Sequence, residues 1–252
     1  MKRARVIHRG RLCTGVPHEG RVRLDDGQLV AEDQLTWLPP VEPRTIFAVG
    51  LNYADHAQEL AFKPQDEPLI FLKGPNAVAG HRTSTIRPSG VDFMHYECEL
   101  AVVIGRSLRR AAPEEALAGI AGYTVANDYA VRDHLENYYR PNLRAKNRDS
   151  ATLLGPWLVD AADVADPMDL ELRTLVNGKL TQSGRTRDMI FGVGALLSHL
   201  SGWLTLGPGD ILLTGTPKGV VNVNAGDEIV TEIDGIGRLV GFIEAESAGA
   251  GR

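Results

Sequence analysis

HYECELAVVIG, residues 95–105, carries two acidic side chains into a stretch that otherwise resembles a buried β-strand. Strand side chains alternate between the two faces of a sheet, so Glu97 and Glu99 are expected on one face and Cys98 on the other. Residues 100–104 continue as an unbroken apolar run, which is typical of a strand buried on both faces. Two neighbouring buried carboxylates repel each other, and they require a cation, a shared proton or contact with solvent.

Composition favours small-molecule chemistry. The 252 residues include 27 Lys and Arg against 32 Asp and Glu, and this near balance provides no basic surface for nucleic acid. Cys13 and Cys98 are too few for a disulfide framework, which predicts a reducing, cytoplasmic location. Residues 189–207 are weakly polar but contain His199 and several glycines, so they predict a core helix and not a membrane span.

The first 43 residues predict a small β segment followed by a linker. Short half-apolar runs at residues 4–10, 21–24 and 28–31 are separated by turn signals and predict strands. Residues 36–43, TWLPPVEP, predict the linker, because prolines interrupt regular structure. Residues 44–252 are then expected to form one larger domain.

The larger part is predicted to be rich in strands. A hairpin is expected across residues 170–184, because Asn177-Gly178 is a preferred two-residue turn. Other strands are predicted within residues 44–52, 68–74, 97–105, 121–128, 153–160, 210–217, 227–233 and 237–245.

Helices are predicted at three places. The first lies in residues 52–61 with Asn52 as N-cap, and the second covers residues 112–123. The third covers residues 189–201, with Asp188 as N-cap and Gly202 just beyond its end. This order does not alternate regularly between strands and helices, so a β-dominated α+β fold is favoured over a doubly wound parallel sheet.

A third carboxylate strengthens a metal hypothesis. Asp128 ends the apolar run of residues 121–128, where an unpartnered charge is costly, and Asn127 stands beside it. Oxygen ligands favour Mg²⁺, Mn²⁺ or Ca²⁺ over zinc, which prefers His and Cys. An edge strand with two solvated glutamates is the alternative, and the pair Glu97 and Glu99 alone favours that alternative.

Five motifs together resemble the fumarylacetoacetate hydrolase (FAH) family over roughly residues 44–246: IFAVGLNYADHAQE, EPLIFLKGPN, MHYECELAVVIG, GYTVANDYAVRD and LLTGTPKGV. The resemblance implies an FAH-type mixed β-sandwich roll with a few flanking helices, which usually forms a homodimer. It also implies a divalent metal, commonly Mg²⁺, held by Glu97, Glu99 and Asp128.

The resemblance implies further site residues. It assigns a proton-shuttling pair to His56 and Glu59, although their i, i+3 spacing alone favours a surface helix pair of little consequence. It places Lys146 among the catalytic groups. Four more positions are expected to bind substrate: Arg132, Tyr138 or Tyr139, Thr216 and Lys73. The choice between Tyr138 and Tyr139 is open, and a structural role for Lys73 is equally open.

Residues 132–149, RDHLENYYRPNLRAKNRD, resemble the homoprotocatechuate (4-hydroxyphenylacetate) branch of the family. That branch decarboxylates 5-oxopent-3-ene-1,2,5-tricarboxylate and isomerises 2-hydroxyhepta-2,4-diene-1,7-dioate through a metal-stabilised enolate. An acylpyruvate or fumarylpyruvate hydrolase is the alternative enzyme, but Leu135 stands where that branch has glutamine. A non-catalytic, metal-dependent binding protein is the alternative from another class, and the pair His56 and Glu59 argues against it.

Overall fold

Strands predominate in the computed structural model, which describes residues 1–55, 66–135 and 142–247. The strands are β1 Lys2–His8, β2 Arg11–His18, β3 Arg21–Leu24, β4 Leu29–Val30, β5 Thr36–Leu38, β6 Ile46–Gly50, β7 Leu69–Lys73, β8 Val78–Ala79, β9 Thr83–Arg87, β10 Met94–His95, β11 Cys98–Ile104, β12 Ile120–Asp128, β13 Ala130–Val131, β14 Thr152–Asp160, β15 Glu171–Val176, β16 Lys179–Arg185, β17 Ile211–Leu213, β18 Glu228–Ile233 and β19 Gly237–Ala245. The α-helices in these ranges are α1 Pro113–Leu117, α2 Leu143–Lys146 and α3 Val193–Trp203.

The strands form a large and a smaller mixed sheet. The larger has the order β4-β3-β2-β1-β14-β12-β11-β17-β6-β7, with β5 beside β1 and β8 beside β14. The smaller has the order β16-β15-β18-β19-β9, and β10 pairs separately with β13. Most pairs are antiparallel, but β17 with β6, β14 with β8 and β19 with β9 are parallel. The β-dominated α+β prediction is confirmed.

Strand β11 lies in the middle of the large sheet and contributes to two cores. Leu100 and Val102 join the larger core, which includes Ile229 and Leu239 from the smaller sheet. The side chains that alternate with them belong to a second core, made of Ile46, Ala48, Ala101, Val103, Ala126, Leu154, Leu158, Ile211 and Leu213. The predicted burial of β11 on both faces is therefore confirmed, and its two faces are chemically separate.

The amino-terminal strands extend the large sheet. β1 pairs antiparallel with β14, with Lys2 opposite Val159, so residues 1–24 share a sheet with the strands around β11. Strand β2 was not predicted, because its apolar residues Leu12, Cys13 and Val16 do not alternate along the sequence, and Leu12 is exposed. The prediction of a linker over all of residues 36–43 is wrong, because Thr36–Leu38 form strand β5, which pairs with β1 just before the first proline. The domain boundary at residue 43 stays a prediction.

Two helices differ from their predicted bounds. α1 ends at Leu117, and the rest of the predicted helix becomes β12, because Ile120 and its successors pair with β11 and β14. α3 begins after Gly192, so the prediction of Asp188 as N-cap is wrong. Asp188 instead lies in a short 3₁₀ turn, and Gly202 lies inside α3. Tertiary pairing and packing outweigh local propensity at these ends.

Asn52 connects three segments through its side chain. Its amide nitrogen donates to the carbonyls of Phe191 (3.0 Å) and Thr214 (2.8 Å), and its side-chain oxygen accepts from the Phe191 N–H (2.9 Å). Asn52 thereby fixes the end of β6 beside the end of β17. Residues 56–61 of the helix predicted after Asn52 lie outside the described residues, so Asn52 as N-cap stays a prediction.

No helix in the described ranges combines the length and apolar character needed to cross a membrane.

His81 is a buried base whose state affects stability. Its Nδ1 accepts the Val240 N–H at 3.0 Å, and its ring packs edge-on against Trp37 at 4.8 Å between centroids. Burial lowers the His81 pKa from its usual 6.5, although Glu32, 3.9 Å from Nε2, opposes the shift. The neutral ring is therefore the native form.

We expect His81→Gln to flatten the pH dependence of stability. In the unfolded chain His81 binds a proton below about pH 6.5, whereas the native ring resists protonation, so its contribution to the unfolding free energy is lost as the pH falls. One such group contributes a slope of up to about 1.4 kcal/mol per pH unit. Urea titrations between about pH 7 and about pH 5 measure the slope, and equal slopes in both proteins would contradict the assignment.

Candidate active site

Three carboxylates meet where β11 begins and β12 ends. Glu97 immediately precedes β11, Glu99 is its second residue, and Asp128 is the last residue of β12. The Asp128 N–H donates to the Glu97 carbonyl at 2.9 Å, which brings the two strand ends together. One carboxylate oxygen from each residue lies within 4.8 Å of the others. Cys98 is fully buried in the larger core, as its alternation predicts.

Glu99 has a strongly raised pKa. Its side chain is buried, and burial together with the charges of Asp128 and Glu97 raises its pKa well above the usual value. The Gly215 N–H donates to its Oε2 at 2.5 Å and stabilises the anion in part. Gly215 has a φ of +87°, and a Cβ there would lie 2.9 Å from the Asn52 Cβ, so glycine is required for this contact.

Two buried lysines approach the carboxylates. Lys146 Nζ lies 2.5 Å from Glu97 Oε2 and 3.0 Å from Asp128 Oδ2. Lys73 Nζ lies 2.5 Å from Asp128 Oδ1 and also donates to the Lys146 carbonyl. Burial lowers the Lys73 pKa, whereas for Lys146 the carboxylates outweigh burial and raise the pKa. When all five groups are charged, the cluster retains one excess negative charge.

The donor set fits a hard divalent cation. Glu97, Glu99 and Asp128 provide oxygen atoms only, and their close approach in a buried place is costly without a further positive charge. Three carboxylates also leave part of an octahedral coordination shell for water or substrate. Asn127 supports the arrangement, because its side-chain oxygen accepts the Glu97 N–H at 3.2 Å.

Arg132 lies beside this cluster and is held by aromatic residues. One of its terminal nitrogens lies 3.3 Å from His95 Nε2, and its guanidinium lies over the Phe93 ring at 5.6 Å. His95 Nδ1 is 3.7 Å from Glu97 Oε1. Burial lowers the His95 pKa to about 4, so the ring is neutral at neutral pH and accepts a hydrogen bond from Arg132.

Thr216 follows the Gly215 contact and belongs to the same corner of the molecule. Its side chain is buried, and the Gln182 side-chain amide donates to its hydroxyl oxygen at 2.9 Å. Lys73 is fully buried, and its ammonium group contacts the Asp128 carboxylate and the Lys146 carbonyl oxygen. These contacts favour a structural role for Lys73 over direct contact with substrate. The sequence had left both roles open.

The structure therefore brings together five predicted side chains and places two more nearby. Glu97, Glu99, Asp128, Lys146 and Lys73 form the cluster, with Thr216 and Arg132 at its margins. The remaining predicted residues lie outside the described part of the chain: His56, Glu59, Tyr138 and Tyr139.

Two neighbouring basic side chains lie outside the cluster. Arg144 is exposed, and Arg148 lies 3.6 Å from Glu246.

Sequence reasoning missed three residues that arrange the site. His95 stands two positions before Glu97, and this proximity was the available signal. Gly215 lies inside the TGTP motif that was otherwise read for its threonine. Gln182 lies in a hairpin strand distant in sequence from every other member, and no local pattern identifies it.

A family model described as "Fumarylacetoacetate (FAA) hydrolase C-terminal" matches residues 45–244. The chain belongs to the fumarylacetoacetate hydrolase family. An FAH-family relative from Salmonella dublin, a 4-hydroxyphenylacetate degradation bifunctional isomerase/decarboxylase, is 54% identical over 229 residues. That alignment covers 88% of this chain and 53% of the relative, so the chain spans about half the length of the curated relatives of this kind.

Solved FAH-type structures share the fold over nearly the whole chain. The 5-carboxymethyl-2-hydroxymuconate delta-isomerase of Mycobacterium smegmatis is 34% identical with a TM-score of 0.86, covering 98% of this chain and 100% of that one. The 2-hydroxyhepta-2,4-diene-1,7-dioate isomerase of Mycobacterium marinum is 32% identical with a TM-score of 0.84, covering 98% and 99%. The predicted FAH-type fold is confirmed, and enzymes of this family generally depend on a divalent metal.

We expect Glu99→Gln to have opposite effects on the metal-free protein and on its response to Mg²⁺. Removing a buried carboxylate that Asp128 and Glu97 repel raises the melting temperature without metal, since an amide oxygen still accepts from Gly215. Saturating Mg²⁺ stabilises the wild-type protein by about 3 kcal/mol at 100 times the dissociation constant, and the variant loses most of this gain.

Thermal unfolding with EDTA or with Mg²⁺ measures both effects. Glu232→Gln is the control, because Glu232 lies in β18 and pairs with Arg238 at 2.8 Å. A variant that melts lower without metal yet keeps the full Mg²⁺ response would contradict the ligand assignment.

Proposed function

We propose that the chain is a metal-dependent decarboxylase and isomerase of 2-oxo or enol di- and tricarboxylates from 4-hydroxyphenylacetate catabolism. One observation carries the proposal: a buried set of three carboxylates and two lysines in a chain 54% identical to a relative named for this isomerase/decarboxylase activity. The M. marinum structure is named for 2-hydroxyhepta-2,4-diene-1,7-dioate isomerisation, which supports the same substrate class.

The proposed cofactor is a divalent cation, because an all-oxygen donor set suits the hard ions Mg²⁺, Mn²⁺ and Ca²⁺, and the family resemblance favours Mg²⁺ among them. Glu97, Glu99 and Asp128 would hold it. When bound, such a cation polarises a chelated carboxylate and 2-oxo group and lowers the energy of negative charge on that oxygen. The Gly215 N–H keeps one Glu99 oxygen engaged, so the carboxylate presents the other.

Positive side chains provide the other contacts for an anionic substrate. The ammonium group of Lys146 forms an ion pair with the carboxylate cluster. Arg132 is half-buried, and His95 orients its guanidinium group. A planar guanidinium matches a carboxylate with two parallel donors. We propose Lys146 and Arg132 as substrate contacts, with Thr216 donating to a carboxylate and Tyr138 or Tyr139 contributing a further hydrogen bond.

Proton movement is assigned to His56 and Glu59. A carboxylate beside an imidazole orients the ring and raises its basicity, which suits proton transfer near neutral pH. Loss of carbon dioxide from the tricarboxylate leaves an electron pair that accepts a proton, and isomerisation of the dienol moves one along the carbon chain. His56 would donate or accept that proton in both cases. A homodimer in the cytoplasm stays a prediction.

We expect wild-type protein with Mg²⁺ to release carbon dioxide from 5-oxopent-3-ene-1,2,5-tricarboxylate and to isomerise 2-hydroxyhepta-2,4-diene-1,7-dioate. His56→Ala should lower kcat at least about 100-fold, because a positioned acid or base contributes that much. Glu99→Gln should be similarly inactive through loss of the cation. His18→Ala is the control, since His18 is half-exposed in β2, remote from β11 in the sheet order.

Coupled carbon dioxide release and ultraviolet absorbance follow the two reactions, and product analysis separates the alternatives. An additional carboxylic acid product would identify a C–C hydrolase instead. Saturable binding without any product would indicate a binding protein. Turnover that is unchanged in folded, metal-free protein would exclude the proposed mechanism.

A further inference from the structure

We propose that Gln182 is a positioning residue that orients the Thr216 hydroxyl as a hydrogen-bond donor toward a substrate carboxylate. The proposal rests on the function proposed above for its substrate class. Gln182 lies on β16 of the smaller sheet, whereas the carboxylate cluster belongs to the large sheet. Its side chain is 1% exposed, so every hydrogen bond that it makes is shielded from water.

The orientation of the Gln182 amide is fixed by its partners. Its Nε2 lies 2.7 Å from the Pro217 carbonyl, which can only accept a hydrogen bond. Its Oε1 lies 3.4 Å from the Cys98 backbone N–H, which can only donate, and it also accepts from the Thr174 hydroxyl at 2.9 Å. The nitrogen therefore faces the 216–217 loop and the oxygen faces β11.

This orientation determines what Thr216 can do. The second N–H of Gln182 donates to Thr216 Oγ1 at 2.9 Å, so that oxygen is an acceptor in this bond. A hydroxyl carries one hydrogen, which then remains for a different partner. Gly215, the preceding residue, donates its N–H to Glu99, so Thr216 directly follows a residue that contacts the carboxylate cluster. An anionic oxygen is the partner that gains most from such a donor.

Further contacts hold the loop that contains Thr216 and Pro217 against strand β16. The Tyr96 hydroxyl bonds to Thr181 Oγ1 at 2.6 Å and donates to the Gly219 carbonyl at 3.0 Å. A Cβ on Gly184 would lie 2.6 Å from Pro217, so glycine permits the loop to pack directly on β16. Contacts at three neighbouring positions of β16 thus hold the loop.

A double-mutant cycle tests the coupling. We expect Thr216→Val to raise KM for the tricarboxylate on the order of tenfold or more with kcat changed little, because it removes a charge-assisted bond to bound substrate. Gln182→Met should raise KM comparably. In the Thr216→Val background, Gln182→Met should add less than about twofold, because no hydroxyl remains to be oriented.

Thr231→Val is the matched control. Thr231 is buried in β18 of the same sheet, and its hydroxyl has no hydrogen-bond partner among the described residues. This variant should leave KM unchanged. Melting temperatures establish that each variant is folded. If Gln182→Met does not fold, the cycle uses Gln182→Glu, which keeps the acceptor toward Cys98 and Thr174 but removes the donor toward Thr216.

Multiplicative effects on KM in the double variant, or an unchanged KM in Gln182→Glu, would overturn the proposal. Calorimetry of pyruvate binding in the presence of Mg²⁺ distinguishes failure of the coupling between Gln182 and Thr216 from failure of the proposed function. Wild-type protein that binds pyruvate but does not convert the tricarboxylate contradicts the function alone. The same cycle measured on pyruvate affinity then tests the coupling, and additive binding free energies would overturn it.

Discussion

Repulsion among Glu97, Glu99 and Asp128 is the interaction on which the site depends. The backbone bond between Asp128 and Glu97 brings the charges together, and burial prevents water from screening them. Two ammonium groups and the Gly215 N–H compensate for part of that repulsion. A bound cation would complete this compensation, and the proposed metal binding and the local stability would then have the same origin.

The two sheets contribute different parts of the candidate site. Strands β11 and β12 supply the carboxylates, and their other faces pack in the larger core with apolar residues of β18 and β19. The end of β17 delivers the TGTP loop, and Asn52 fixes that end beside β6. The smaller sheet then holds the loop through Gln182. The carboxylates and the TGTP loop thus both come from the large sheet, and the smaller sheet provides the contacts that hold the loop.

Much of this arrangement could be predicted from the sequence. The alternation in residues 97–104 correctly separated Cys98 from the glutamates, and the Asn177-Gly178 hairpin forms as expected, with both residues at positive φ. These features depend on local geometry. The cluster also needed Asp128, 29 positions after Glu99, and there the family resemblance supplied what spacing alone left open.

The features that the sequence did not predict share a physical cause. The predicted helix over residues 112–123 overlapped the predicted strand that begins at residue 121, and the overlapping residues form β12 because two neighbouring strands satisfy their backbone groups. Asn52 could cap a helix, yet its amide meets partners more than 130 positions away. Gln182 is a polar residue in a polar hairpin, and only the approach of Pro217 and Cys98 gives it a role. Long-range contacts of this kind leave no local pattern.

The position of β16 has a dynamic consequence. It is an outer strand of the smaller sheet, paired on one side with β15. Outer strands open at a lower free-energy cost than central ones, and local opening need not involve the rest of the molecule. Fraying of this hairpin would release the loop that carries Thr216 while β11 and β12 keep their carboxylates in place. Retention of the ion and retention of the substrate would then be lost on separate timescales.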